Sequence, residues 1–148
     1  MGIDEETYIR ERLDDQIDWY SKKSSSNKKL HYFFRIVELI ITGAIAIMAL
    51  LECFYFKFII GALGISLTSL YSIHIFCKLQ ENWIEYRKTS EILKHEKYMF
   101  LARSGVYNNP DISSDIPFKI LVERCETVIS HENINWAQLN SNEYLEKK

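Results

Sequence analysis

The sequence predicts an all-α membrane protein: a two-span antiparallel transmembrane hairpin whose second span continues as a long cytoplasmic helix, with amphipathic cytoplasmic helices at both ends. Three observations predict it. Of the 18 Lys and Arg side chains in this 148-residue chain, seven precede Ile36, ten follow Cys77 and only Lys57 lies between. Of the 20 acidic side chains, only Glu38 and Glu52 fall in that same middle stretch. No Gly or Pro then appears from Cys77 until Gly105. A composition of 47% hydrophobic and 26% charged residues looks ordinary only because it averages a charge-poor centre with two charged flanks. A nearly uncharged segment of about forty residues reads as a membrane hairpin.

The first element is an amphipathic helix over residues 4–21, where Ile9, Leu13, Ile17 and Tyr20 recur at three- and four-residue spacing. Acidic residues crowd its start and Lys22 and Lys23 follow its end, which complements the helix dipole. Ser24 to Asn27, SSSN, is expected to break this helix and cap the next, making a short elbow. The first span is expected at 33–53. Its uncharged part, Leu39 to Leu51, reaches spanning length only by taking in Arg35 and Glu38, which then sit at headgroup level with Arg35 snorkelling.

Glu52 to Lys57, ECFYFK, leaves room only for a tight turn, and its aromatic residues suit an interfacial belt. The second span, 58–77, reads FIIGALGISLTSLYSIHIFC without one Asp, Glu, Lys or Arg. At about 1.5 Å per residue it covers a hydrocarbon core of roughly 30 Å. Two buried helices of a soluble bundle are the competing reading. Helical spacing of Leu79, Trp83, Tyr86, Leu93 and Phe100 then extends the span through 78–103 as one helix of about 70 Å. Gly105 ends it, and turn chemistry at Asn109-Pro110 and Ile116-Pro117 marks a loop. A last amphipathic helix follows at 118–132, with a mostly polar tail behind it.

Lys22, Lys23, Lys28, Lys29 and Arg35 flank the first span on the side where Lys78, Arg87 and Lys88 follow the second. By the positive-inside rule both termini are cytoplasmic, in a multi-pass protein of the plasma (inner) membrane. The acidic start MGIDEETYIR has no apolar core and is not a secretory signal.

Several function classes are excluded. A net charge of −2 with no basic excess argues against nucleic acid as a partner. Cys53, Cys77 and Cys125 are too few and too scattered for zinc or a disulfide framework. Asp14 and Asp15 diverge by about 100° on a helix and do not converge on one ion. His131-Glu132 opens like a zinc-protease motif, but Asn135 stands where the second His is required. His31, His74 and His95 lack partners at ligand spacing. With no Gly-rich phosphate loop and no GxSxG, neither an enzyme nor a metal or cofactor is expected.

Rotating each residue by 100° places Arg35, Glu38, Thr42, Ala46, Ala49 and Cys53 on one stripe of the first span. Gly61, Gly64, Ile65, Thr68 and Ser72 share a stripe of the second. Small residues of this kind permit close helix approach, so the stripes either pack helix on helix or line a polar path. The pore-lining candidates are Glu38, Thr42, Glu52, Thr68 and Ser72; Glu52, beside the outer turn, would form a ring of acids that favours cations. His74 reads as a helix-end hydrogen bonder, with a proton relay as the other reading. Two helices cannot enclose a pore, so a homo-oligomer in membrane lipid is implied. In the cytoplasmic layer Asp14, Asp15 and Asp18 are placed to meet Arg87, Lys88 and Lys94, and Trp19, Tyr20, Trp83 and Tyr86 are placed to anchor at the membrane interface.

Two blocks carry a resemblance. YIRERLDDQIDWYSKKSSSNKK precedes the hairpin and NWIEYRKTSEILKHEKYMFLARSGVY follows it. Together they resemble the bacterial two-transmembrane SLATT superfamily, named for association with SMODS and SLOG domains, and more narrowly its large subfamily catalogued as a domain of unknown function. The matching positions are Leu13, Asp14, Gln16, Trp19, Tyr20, Lys23 and Asn27, then Trp83, Tyr86, Arg87, Glu91, Leu93, Lys94, Glu96 and Tyr107. The resemblance implies a membrane-embedded oligomer acting as a pore-forming effector in bacterial conflict or stress, answering a cytoplasmic nucleotide-signalling partner. The alternative is a non-conducting membrane scaffold or sensor that oligomerises and binds a cytoplasmic partner.

Overall fold

A computed structural model describes residues 4–51, 54–108 and 115–145, the side chains of Asp115 and of residues 132–145 excepted. All regular structure among the described residues is helical. A short turn α1 (Glu5–Thr7) and a π-helical turn (Tyr8–Leu13) lead into α2 (Asp14–Ala49). Then come α3 (Phe54–Phe76), α4 (Leu79–Leu101), a 3-10 turn (Gly105–Tyr107) and α5 (Asp115–Leu145).

The elbow expected at Ser24–Asn27 does not form, because α2 runs through it. Serine in a helix interior costs only a few tenths of a kcal/mol against alanine, far less than Gly or Pro. Here Ser24 also gains a bond, its buried hydroxyl donating to the Trp83 carbonyl at 2.9 Å. The single helix expected over 58–103 is interrupted instead. Lys78 stands at φ 45°, its N–H donating to the Ile75 carbonyl at 3.0 Å, and Asn82 restarts the ladder on the Lys78 carbonyl at 2.9 Å. The Asn82 side chain also donates to the Cys77 carbonyl at 3.2 Å, a local hydrogen bond that competes with helix. The last helix is longer than the 118–132 expected, and Pro117 fits its first turn, where no N–H is needed.

Two helical paths, Glu5–Ala49 and Phe54–Tyr107, are long and apolar enough to cross a membrane. Only 6% of the apolar window in each is buried, the opposite of a soluble protein's core helix.

The chain divides into two compact units. One comprises Met1–Lys22 and Tyr86–Lys148. Its core gathers Leu13, Ile17, Tyr20, Leu93, Phe100, Tyr107, Leu121, Cys125 and Ile129, with Leu13, Leu93, Leu121 and Cys125 fully shielded. Each such aliphatic side chain stabilises the unit by about 1.5–3 kcal/mol. Ser90, also fully buried, lets backbones approach, its hydroxyl 2.7 Å from that of Ser21 and 3.3 Å from the Ile17 carbonyl. At the end of α4 a reverse turn places Arg103 at φ 47°, with Ser104 N–H on the Met99 carbonyl and Arg103 N–H on Phe100, both at 3.0 Å. Gly105 stands at φ 60°, where a Cβ is strained by about 1–2 kcal/mol, and the Met99 methyl, 2.7 Å from that Cβ position, would have to move aside.

The other unit is Lys23–Glu85. Between residues 33 and 76 its sheltered positions recur at helical spacing: Phe34, Val37, Glu38, Ile41, Ala44, Ile45 and Met48 on α2, and Phe56, Ile60, Leu63, Gly64, Leu67, Leu70 and His74 on α3. Every one is apolar or small except Glu38 and His74.

Candidate functional site

Those two exceptions meet. Glu38 is 8% exposed and so is His74, and the Glu38 Oε1 atom lies 3.1 Å from His74 Nδ1. The other nitrogen of that ring, Nε2, lies 2.9 Å from Nδ1 of His31. His31, Phe34, Arg35 and Glu38 share a face of α2 because residues three, four and seven apart stand over one another. His74 reaches them from the last turn of α3. Phe34 stacks on the His74 ring at 5.8 Å and 17°, which fixes the imidazole plane. Arg35 Nη1 contacts Glu38 Oε2 at 3.3 Å, its own side chain 59% exposed against 10% for Glu38.

Burying an ionised carboxylate costs several kcal/mol unless charges and hydrogen bonds offset it. Glu38 has one ring N–H and one guanidinium, one on each oxygen. His31 opens toward a groove of about 350 Å³ that is also lined by Arg35, Tyr71, Lys78 and Glu81. Burial holds the His31 imidazole below its ordinary pKa, neighbouring His74 and Arg35 add to that and Glu38 opposes it. His31 is therefore neutral at pH 7. No group of three metal-ligating side chains converges among the described residues.

The remaining pore candidates do not join this cluster. Thr42, Thr68 and Ser72 are exposed, and their hydroxyls donate to the carbonyls of Glu38, Gly64 and Thr68 at 2.8, 2.9 and 2.8 Å. At Gly43, Gly61 and Gly64 nothing lies within 4 Å of where a Cβ would stand, so among the described residues no neighbour packs closely on these glycines. Glu52 lies outside the described residues.

The ion pairs outside the apolar helices differ from those expected. Asp14 pairs with Lys97 at 2.6 Å, whereas Arg87 and Lys94 both hold Glu91 on their own helix, at 3.2 and 3.1 Å. Asp15 and Asp18 are exposed. Two networks escaped sequence reading. Arg12 grips Glu126 with both Nε and Nη2, at 3.0 and 2.9 Å, while the Tyr8 hydroxyl donates to the same carboxylate at 3.2 Å. Buried Glu96 accepts from the Tyr107 hydroxyl at 2.6 Å and meets Arg124 at 3.3 Å. Each joins residues far apart in sequence, which helical periodicity cannot pair.

Of the aromatic anchors, Tyr20 is a core ring at 2% exposure, with Trp19 and Tyr86 edge-on to each other at 5.8 Å beside it. Trp83 carries the Lys28 ammonium 5.6 Å from its ring centre. The Cys125 thiol is pushed up to about 12 by burial, so it is an inert core residue.

The family described as "Protein of unknown function (DUF4231)" matches residues 15–115, well over half of the chain. The chain belongs to that family. No match was found among curated proteins or among solved structures. The DUF4231 match takes in His31, Glu38 and His74 together with α2, α3 and α4, and stops where α5 begins. The partners that α5 supplies to Arg12 and Glu96 thus lie beyond it.

Proposed function

We propose that this DUF4231 chain is an integral protein of the plasma membrane whose hairpins assemble into a homo-oligomeric ion channel or pore, with both termini cytoplasmic. The observation that carries the reading is the bare apolar surface of α2 and α3. Leu39, Leu50 and Ile65 are 73%, 82% and 73% exposed, so lipid or further copies must cover them. Thr42, Thr68 and Ser72 lie on that uncovered surface and are free to face an axis that only several hairpins can enclose. Glu52 would add its ring of acids at the outer mouth. The SLATT resemblance extends the proposal to an effector in bacterial conflict or stress that responds to a cytoplasmic nucleotide-signalling partner.

One observation favours a second reading, a non-conducting scaffold that oligomerises and binds a cytoplasmic partner. All three hydroxyls are satisfied by their own helix, as they must be in lipid and need not be beside water. The mass of the detergent-solubilised complex tests the channel reading. A trimer or larger ring is expected, while a monomer or dimer contradicts it. Carbonate extraction tests membrane embedding separately, and release of the chain into the supernatant would contradict that part.

A further inference from the structure

The contacts of His74 form a chain that can be satisfied in two ways. With Glu38 ionised, His74 Nδ1–H donates to Oε1, so its bare Nε2 must accept the Nδ1–H of His31 across the 2.9 Å contact. In the reverse arrangement a protonated Glu38 donates to His74 Nδ1, and His74 Nε2–H donates to His31 Nδ1. Every contact keeps one donor and one acceptor in both arrangements. They differ by a single proton and by the tautomer of both rings.

We propose that His31, His74 and Glu38 are a one-proton relay that connects the groove beside His31 to the carboxylate buried in the hairpin. Water in the groove delivers a proton to His31 Nε2. The His31 Nδ1 proton passes to His74 Nε2, and the His74 Nδ1 proton passes to Glu38 Oε1. One proton has entered, one carboxylate has been neutralised, and both rings are neutral again with their protons on Nε2. Two imidazolium rings are excluded, since that would set two N–H donors head to head across 2.9 Å.

The charged surroundings couple the relay to the helices. Arg35 and His31 face Glu38 from α2 and His74 faces it from α3, while Tyr71, Lys78 and Glu81 line the groove. Neutralising Glu38 ends its ion pair with Arg35, whose side chain is then held by nothing at that carboxylate. Phe34, stacked on His74, keeps the ring from turning away and breaking the chain. The relay stands on contacts within the hairpin; it rests on the proposed membrane reading only for placing Glu38 inside the bilayer.

Ring-¹⁵N histidine spectra of the full chain in lipid nanodiscs, taken between about pH 8 and pH 5, test the relay. His31 and His74 should exchange their protonated and bare nitrogens in one common step, with neither ring accumulating as imidazolium. Glu38→Gln removes the acceptor, so the coincident reversal should be lost and His31 should titrate alone to imidazolium. Independent titration of the two rings in the wild-type protein would overturn the proposal, as would a fixed tautomer across the whole range. The wild-type spectra decide this even if Glu38→Gln does not fold. A coincident reversal in a protein that conducts no ions would leave the relay standing and remove only the pore.

Discussion

Glu96 shows what the motif residues do. It is buried, it is held by the Tyr107 hydroxyl and Arg124, and both Glu96 and Tyr107 belong to the two patterned blocks that flank the apolar helices. Leu13, Tyr20 and Leu93 from the same blocks are core side chains. Much of the patterning of those blocks therefore serves the packing of the unit that holds Leu13, Leu93 and Leu121. Tyr107→Phe should cost about 1.5–3 kcal/mol, because it removes a hydrogen bond to a buried charged group; thermal melts in detergent would register it. Leu93→Ala leaves a cavity in a fully shielded site and should cost about 2–5 kcal/mol by the same assay.

The Arg12–Glu126 pair makes a pH prediction. Its guanidinium, with the Tyr8 hydroxyl, holds the Glu126 carboxyl below the ordinary carboxylate range. A lowered folded value adds stability above the ordinary one and loses it as pH falls through the folded value. The pair is about two-fifths exposed, with side chains at 46% and 39%, so Arg12→Gln should cost only about 0.5 kcal/mol at pH 7. That difference should shrink as pH falls below the ordinary carboxylate value of about 4.3 and vanish once pH is below the lowered folded value, as comparison of the two unfolding curves across pH would measure.

At the scale of the element, two of the departures from sequence expectation, at 24–27 and at 77–78, have one cause. Helix breaks were assigned from residue type, by Ser and Asn at 24–27 and by the lack of Gly or Pro at 77–78. Side-chain hydrogen bonds to backbone decide otherwise: Ser24 joins the distant Trp83 carbonyl, and Asn82 takes the nearby Cys77 carbonyl beside a left-handed Lys78. A non-glycine residue there stores about 1 kcal/mol, so Lys78→Gly should stabilise the hairpin modestly, whereas Ser25→Pro should break α2 at a cost of about 3 kcal/mol or more. Helix content by circular dichroism and the melting midpoint would separate these outcomes. The two long apolar helices are legible, because charge segregation and helical spacing are local properties; the face of α2 that is sheltered is not, since Ile41 and Ile45 lie on it while Thr42, Ala46 and Ala49 are exposed. The Glu38–His74–His31 chain was only half legible. The two in-span groups stand out in the sequence, but their meeting depends on how α2 and α3 pair, and His31 lies outside the apolar run. Its one signal was its place seven residues before Glu38, on the same face.

For the whole molecule, the central fact is that the two most apolar helices are the least covered. A soluble bundle would bury them, and a monomer in lipid would leave the small and hydroxyl face of Thr42, Thr68 and Ser72 without purpose. The proposed assembly of hairpins into a conducting ring would account for both. Ion flux from liposomes holding the purified, intact oligomer tests this most directly. The account predicts ion release that scales with the amount of protein reconstituted; liposomes that stay sealed while the oligomer is verified intact, under every pH and nucleotide condition applied, would contradict it.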